Sequence, residues 1–163
     1  MNQIISSSNR RSVHEVSTET KDYVTMYING QLFGIPVLTV RDVLSPQKIT
    51  RIPLAPREIA GSLNIRGRIV TVIDVRLRLG LSRRDEGGTG MCVVVDHGGE
   101  LYSLMVDTVG EVLSLVTAAF ERNPPTLDPQ WREFSAGIYR LDDKLLVVLD
   151  VTRLLDFAKA DAS

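Results

Sequence analysis

The chain has 163 residues with 19 Lys+Arg against 20 Asp+Glu, a net charge of −1, which is the size of one domain or of two small ones closely joined and lacks the basic excess of a nucleic-acid binder. With 44% hydrophobic and 24% charged residues it can build an ordinary globular core without metal or disulfide staples. One cysteine, Cys92, excludes an intrachain disulfide or a thiolate cluster, and His14 and His97 alone are too few for a typical zinc site, so a reduced, cytoplasmic protein without cofactors is expected.

In chain order, residues 1–20 are rich in Ser, Asn and Thr without periodicity and read as a flexible tail. The arginines at 10 and 11 follow the only apolar pair, so no secretory signal is read there. Tyr23–Ile28 is β-branched and aromatic, and Asn29-Gly30 is a strong hairpin turn signal leading to a partner strand over Gln31–Ile35. Pro36 ends that strand. Further short strands are expected at Val43-Leu44 and Ile49–Ile52, then a turn bracketed by Pro53 and Pro56 and a short helix near Arg57–Ala60. Gly61–Ile65 and Arg68–Ile73 form another hairpin about Arg66-Gly67, and Ser82–Gly90 is a polar, glycine-rich loop. Met91–Val95 and Leu145–Leu149 are the longest apolar runs, far below the roughly 18 residues of a membrane helix, so no direct membrane insertion is expected. Residues 158–163 read as a second flexible tail.

An internal repeat organises these elements. Tyr23–Ser45 aligns without gaps on Cys92–Ser114, a shift of 69 residues, and Gly61–Leu79 aligns on Gly137–Leu155, a shift of 76. Val43-Leu44-Ser45 meets Val112-Leu113-Ser114, and Ile69–Val75 meets Leu145–Val151. The second copy carries an insertion of about seven residues, placed in the proline-containing stretch Glu121–Trp131. Many short strands in two copies predict an all-β protein of two five-stranded barrels, with short helices between and after strands. Each half is expected to close into its own barrel, with a partner-binding groove between the two.

Catalytic chemistry is scarce. Gly87–Gly90 resembles a phosphate cradle in composition only, because a strand rather than a helix follows it. Asp96-His97 lies in a hairpin turn, and Cys92 sits in an apolar strand as a small hydrophobe. Asp74 and Asp150 are equivalent in the repeat and precede short helical patterns at Val75–Leu79 and Val151–Phe157, so they are expected to be N-caps rather than a paired acid. Of the arginines at 57, 66, 68, 76, 78, 83 and 84, most read as a solvated face. Arg66 stands out at its tight turn because the second copy has Asp142 there. Its guanidinium suits either bidentate contact with a partner or an internal salt bridge between the barrels.

Gly61-Ser-Leu-Asn-Ile-Arg-Gly-Arg-Ile-Val-Thr-Val-Ile-Asp-Val-Arg-Leu-Arg-Leu-Gly80 resembles the signature of the CheW family, G-x-x-N-L-R-G-x-(I/V)-(I/V)-P-(I/V)-(I/V)-D-L-R-x-(K/R)-(F/L)-G. Phe33–Val43 is similar to the family's Y-(G/A)-(I/V)-x-(I/V)-x-x-V-x-E-(I/V), and Leu104–Val112 to its (I/V)-V-D-x-V-x-(E/D)-V. Ile65, Thr71, Val75 and Asp42 depart from the pattern, where the family has Leu, Pro, Leu and Glu.

The resemblance implies two interleaved SH3-like barrels around a shared core, forming a single domain over residues 21–157. It implies no enzymatic activity and no cofactor. The job it implies is that of an adaptor coupling the cytoplasmic tips of chemoreceptors to the regulatory domain of a CheA-type histidine kinase, and so recruitment to membrane-associated receptor arrays. A receptor helical hairpin would lie in the groove, with Val40, Asp42, Arg66, Tyr102, Val109 and Val112 at the groove and its rim. The kinase would meet the barrel ends. The alternatives are a scaffold of the same fold for a non-chemotaxis system such as pilus motility, or a small-ligand-binding barrel, which would need convergent polar groups in a pocket.

Overall fold

A computed structural model describes residues 18–82 and 90–162. In chain order the elements are strands β1 (Thr20–Ile28), β2 (Gln31–Pro36), β3 (Val40–Leu44), β4 (Ile59–Ile65) and β5 (Arg68–Asp74), helix α1 (Val75–Arg78), strands β6 (Met91–His97), β7 (Glu100–Val106) and β8 (Thr108–Val116), helix α2 (Pro129–Arg132), strands β9 (Ser135–Arg140) and β10 (Leu145–Leu149), and helix α3 (Val151–Ala162). They build two five-stranded sheets, ordered β8-β1-β2-β10-β9 and β3-β6-β7-β5-β4. Exchanging β1–β5 for β6–β10 converts one order into the other, so the duplication read in the sequence is carried by the topology.

The expectation that each half closes into its own barrel is corrected. The first sheet takes hairpin β1–β2 from one copy and β8, β9 and β10 from the other; the second takes β6–β7 with β3, β4 and β5. The reason lies in the connections. After Pro36 a single 3-10 turn at Val37–Thr39 carries the chain onto the other sheet, and Asp107 alone separates β7 from β8. The outer edge of β2 is taken by β10 and that of β7 by β5, so the chain pairs with the edge left open on the other copy's hairpin, β3 with β6 and β8 with β1.

Each sheet closes through the segment that follows its edge strand. Thr50 and Ser62 exchange two backbone hydrogen bonds at 2.9 and 2.8 Å, and Glu121 and Ile138 exchange two at 2.9 Å each. At the matching closures the chain turns through Gly61 (φ 149°) and Gly137 (φ 156°), a conformation that favours glycine.

Three apolar clusters follow from this exchange. Tyr23, Leu32, Tyr139, Leu146 and Val148 fill one barrel, and Leu63, Val72, Cys92 and Met105 fill the other. Between the barrels lies a larger shared core that includes Met26, Phe33, Ile73, Val93, Leu104, Ile138, Val147 and Leu155. The inner strands β6 and β10 are thus buried on both faces, which is why they read as continuous apolar runs rather than alternating ones.

The helix caps are as expected: the Asp74 carboxylate accepts from the Leu77 amide at 3.4 Å, and that of Asp150 from the Arg153 amide at 3.2 Å. Other local expectations are revised. Ile49–Ile52 is not a strand, since only Thr50 pairs, and the helix expected near Arg57–Ala60 is a turn running into β4. Too few residues separate Pro56 from the start of β4 for a helix to nucleate. Of the tail expected at 1–20, residues 1–17 lie outside the described residues, whereas Thr20 pairs with Val116 and the Thr117 amide donates to the Glu19 carbonyl. The tail placed at 158–163 is helical to Ala162, because the Asp150 cap starts a helix that Leu154 and Leu155 anchor in the shared core. Residues 83–89 of the glycine-rich loop, with Arg83 and Arg84, lie outside the described residues.

Candidate partner-binding surface

The six residues assigned to the groove fall on the two equivalent strands β3 and β8, on the β4–β5 turn and on β7. β3 pairs with β6 and β8 with β1, each at the end of its sheet. Both are bulged at the matching place: Arg41 is the extra residue in β3, and Gly110 with Glu111 stand opposite Thr25 alone. A bulge bends a strand and re-aims its side chains. Here Val40 and Val109, on one side of the bulges, are half-buried against the shared core. Val43 and Val112, on the other side, are 37% and 53% exposed.

The space between the barrels is therefore filled by the shared core, and the available surface is its rim. Tyr102 belongs to the core itself: it is only 7% exposed, and its hydroxyl donates to the Glu100 carboxylate at 3.2 Å. Burial, together with the Glu100 charge, raises its pKa. β7 lies in the middle of its sheet between β6 and β5, so any side chain of Tyr102's size on it packs inward.

Asp42 and Arg66 come together. The Arg66 guanidinium lies 3.7 Å from the Asp42 carboxylate, which also accepts from the Val43 amide at 2.9 Å. Arg66 adopts a left-handed φ of 51° at the two-residue turn, and its side chain remains 86% exposed. The salt bridge is thus internal, but it joins two elements of one sheet and does not bridge the barrels. On the other rim the equivalent residues are Glu111 and Asp142, both exposed acids. The charge is thus the same at Asp42 and Glu111 and opposite at the turn, where Arg66 stands against Asp142.

Two arginines of the expected solvated face are engaged within the protein. Arg76 donates to the Asp107 carboxylate at 2.7 Å and to the Ser82 carbonyl at 3.0 Å. Arg78 donates to the Leu154 and Arg153 carbonyls at 2.9 Å each and lies over the Phe134 and Phe157 rings, 4.6 Å from each centroid. Both follow the helix cap Asp74, which turns α1 so that its arginines reach across to the other barrel. Residues that sequence reasoning passed over are the exposed apolar Ile52, Leu54 and Ile69 of the second sheet and its loop. A signal was present in Pro53 and Pro56, which hold the flanking Ile52 and Leu54 away from any ladder.

Among the described residues no group of three or more His, Cys, Asp or Glu side chains could hold a metal, and no helix is long and apolar enough to cross a membrane.

The family model for the CheW-like domain matches residues 22–159. Chemotaxis protein CheW of Helicobacter pylori is 25% identical over 144 residues, covering 88% of this chain and 87% of the relative. CheW of Bacillus subtilis is 27% identical over 142 residues, covering 87% and 90%. Protein PilI of Pseudomonas aeruginosa is 25% identical over 120 residues, covering 74% and 67%. Among solved structures, the scaffolding protein TtCheW from Thermoanaerobacter tengcongensis superposes with a TM-score of 0.75 at 31% identity, covering 85% of this chain and 94% of that one. The chain belongs to the CheW-like domain family and is a chemotaxis adaptor.

Proposed function

We propose that this adaptor couples the cytoplasmic tips of chemoreceptors to the regulatory domain of a CheA-type histidine kinase. It acts without catalysis, in the cytoplasm, and reaches membrane-associated arrays through its partners. The observation that carries the reading is the pair of equivalent bulged strands, β3 and β8, bordering one core. A receptor helix laid along this rim would bury the exposed face of Val112 and Val43, and meet the Asp42–Arg66 pair at its edge. Val40 and Val109 would line its floor from below. Tyr102 would support that floor from within the core.

The kinase contact falls to the barrel ends, away from this rim, so both partners can be held at once. The apolar surface at Ile52 and Leu54, in the loop between β3 and β4, is of the kind that marks a protein contact.

The test is reconstitution. The purified chain is mixed with a receptor cytoplasmic fragment and a CheA-type kinase, separately and together, and complexes are separated by gel filtration. A ternary complex containing all three is the expected result. Failure to bind either partner overturns the reading. The likeness to PilI favours, as the rival, a scaffold of another signalling system, and capture from lysate read by mass spectrometry separates the two by the identity of the kinase and receptor recovered.

A further inference from the structure

At one end of the barrel built on the first sheet, a cleft of about 650 Å3 opens between that barrel and the β6–β7 turn of the other, within the roughly 300–1,000 Å3 of small-molecule sites. It arises where the duplication has diverged. In the first copy Arg76 reaches Asp107 at 2.7 Å, and the same carboxylate accepts from the Asn29 amide of the β1–β2 turn at 2.8 Å. The repeat puts Thr152 in the place of Arg76 and Leu38 in the place of Asp107. A threonine cannot span the gap and a leucine cannot tie down the β6–β7 turn, so the second copy stays open where the first is plugged.

We infer that this cleft binds a small aromatic carboxylate. Its wall is aromatic: Phe120, 40% exposed, packs on Tyr139 with centroids 5.3 Å apart, and Tyr139 meets Tyr23 edge-on at 5.5 Å. The wall is also fixed. A Cβ on Gly137 would sit 2.3 Å from the Phe120 ring, so that ring rests directly on the β9 backbone. Such a surface takes a flat apolar body.

Charge selects the anion. Both carboxylates of the lining are committed, Asp96 to Arg41 at 3.2 Å and Asp150 to Arg153 at 3.7 Å and to the α3 cap. Lys21 makes no ion pair among the described residues; its ammonium stands 6.0 Å from the Tyr23 ring centroid. His97 and Thr152 complete the polar lining. An acid entering ring-first would stack on Phe120 and leave its carboxylate beside Lys21.

The proposal is independent of the adaptor role, and its test uses the free chain. Amide shifts in two-dimensional NMR are followed during titration with phenylacetate, with neutral 2-phenylethanol, and with acetate. Phenylacetate is expected to give saturable shifts at Lys21, His97, Phe120 and Thr152, and to bind about tenfold more tightly than either fragment analogue. Lys21→Gln should remove the preference for the acid over the alcohol, and Phe120→Ala should weaken both, with circular dichroism confirming that each variant is folded. No saturable shift at millimolar phenylacetate, shifts outside the cleft, or unchanged acid preference in Lys21→Gln each overturns the proposal. No receptor or kinase is present, so none of these outcomes bears on the adaptor reading.

Discussion

Gly61 and Gly137 stand at equivalent positions of the two copies and hold nearly the same backbone angle, φ 149° and 156°. Each receives the closing segment of its barrel on the face where a side chain would project. A Cβ on Gly61 would lie 2.2 Å from the Thr50 carbonyl oxygen, and one on Gly137 would lie 2.6 Å from that of Glu121. The family signature begins with this glycine because the barrel can close only over a bare backbone. Alanine at either position combines a left-handed conformation with a backbone clash, so each substitution should cost about 3 kcal/mol or more of folding stability. Urea melts of the two variants check this, with alanine at the unobstructed Gly99 as the milder comparison.

The Arg76–Asp107 pair joins the barrels. Its side chains are only 15% and 23% exposed, and Asp107 also accepts from the Asn29 amide of the first sheet. Arg76→Ala removes a 2.7 Å charge-assisted contact between two mostly buried side chains and should cost about 2–3 kcal/mol. Arg41 forms a similar-looking pair with Asp96, but its side chain is 58% exposed, so Arg41→Ala should cost under about 1 kcal/mol. Equal losses in the two variants, measured by chemical denaturation, would deny the clamp its special role.

Much of this architecture is legible in the sequence, and the limit is instructive. The hairpins at Asn29-Gly30 and Arg66-Gly67, the caps at Asp74 and Asp150 and the two-copy pattern are local signals, set by φ preferences and hydrogen bonds within a few residues. Strand exchange is not local. Nothing within Pro36–Val40 announces whether the chain returns to its own hairpin or crosses to the other sheet; that depends on which edges remain open once both hairpins have formed. The same limit explains Tyr102. Its alternation fits a rim residue as well as a core one, and only the central place of β7, fixed by β5 on one side and β6 on the other, decides it. Arg76 and Arg78 were read as solvated because their partners lie 31 and 76 residues away.

Tyr23 gives the fold a pH limit. Burial, followed by its hydrogen bond with the Tyr139 hydroxyl at 3.3 Å, raises its pKa above the ordinary tyrosine value of about 10. Below pH 10 the phenol is protonated in both folded and unfolded chains and contributes no pH dependence. Above it the unfolded chain releases a proton that the folded chain retains, so stability falls by about 1.4 kcal/mol per pH unit. Tyr23→Phe should flatten this decline between pH 10 and the folded pKa, as read from denaturation midpoints across that range.

Arg66 and Asp42 lie on the exposed rim, and their ion pair should contribute under about 1 kcal/mol to folding. Arg66→Ala is therefore expected to shift the melting temperature by no more than a few degrees while weakening receptor binding about tenfold or more. Asp42→Ala should leave Arg66 free and affect binding less. A stability loss without a binding loss in Arg66→Ala would make the pair structural and remove it from the partner surface.

The valines on either side of the bulges separate rim from floor. Val112 is 53% exposed, whereas Val40 is half-buried against the shared core. Val112→Asp places its charge in water, so the fold should survive with a change of about 0.5 kcal/mol. Receptor binding should drop sharply, because that charge must be desolvated when an apolar helix docks. Val40→Asp aims a carboxylate toward the apolar shared core, and should destabilise the domain by several kcal/mol out of a typical 5–15. The two strands are equivalent in the repeat, so Val43→Asp should behave like Val112→Asp and Val109→Asp like Val40→Asp. Melting curves and receptor titrations on all four variants check the pattern. If Val112→Asp and Val43→Asp bind as tightly as the parent chain, the receptor does not lie along β3 and β8, and the partner surface must be sought at the barrel ends.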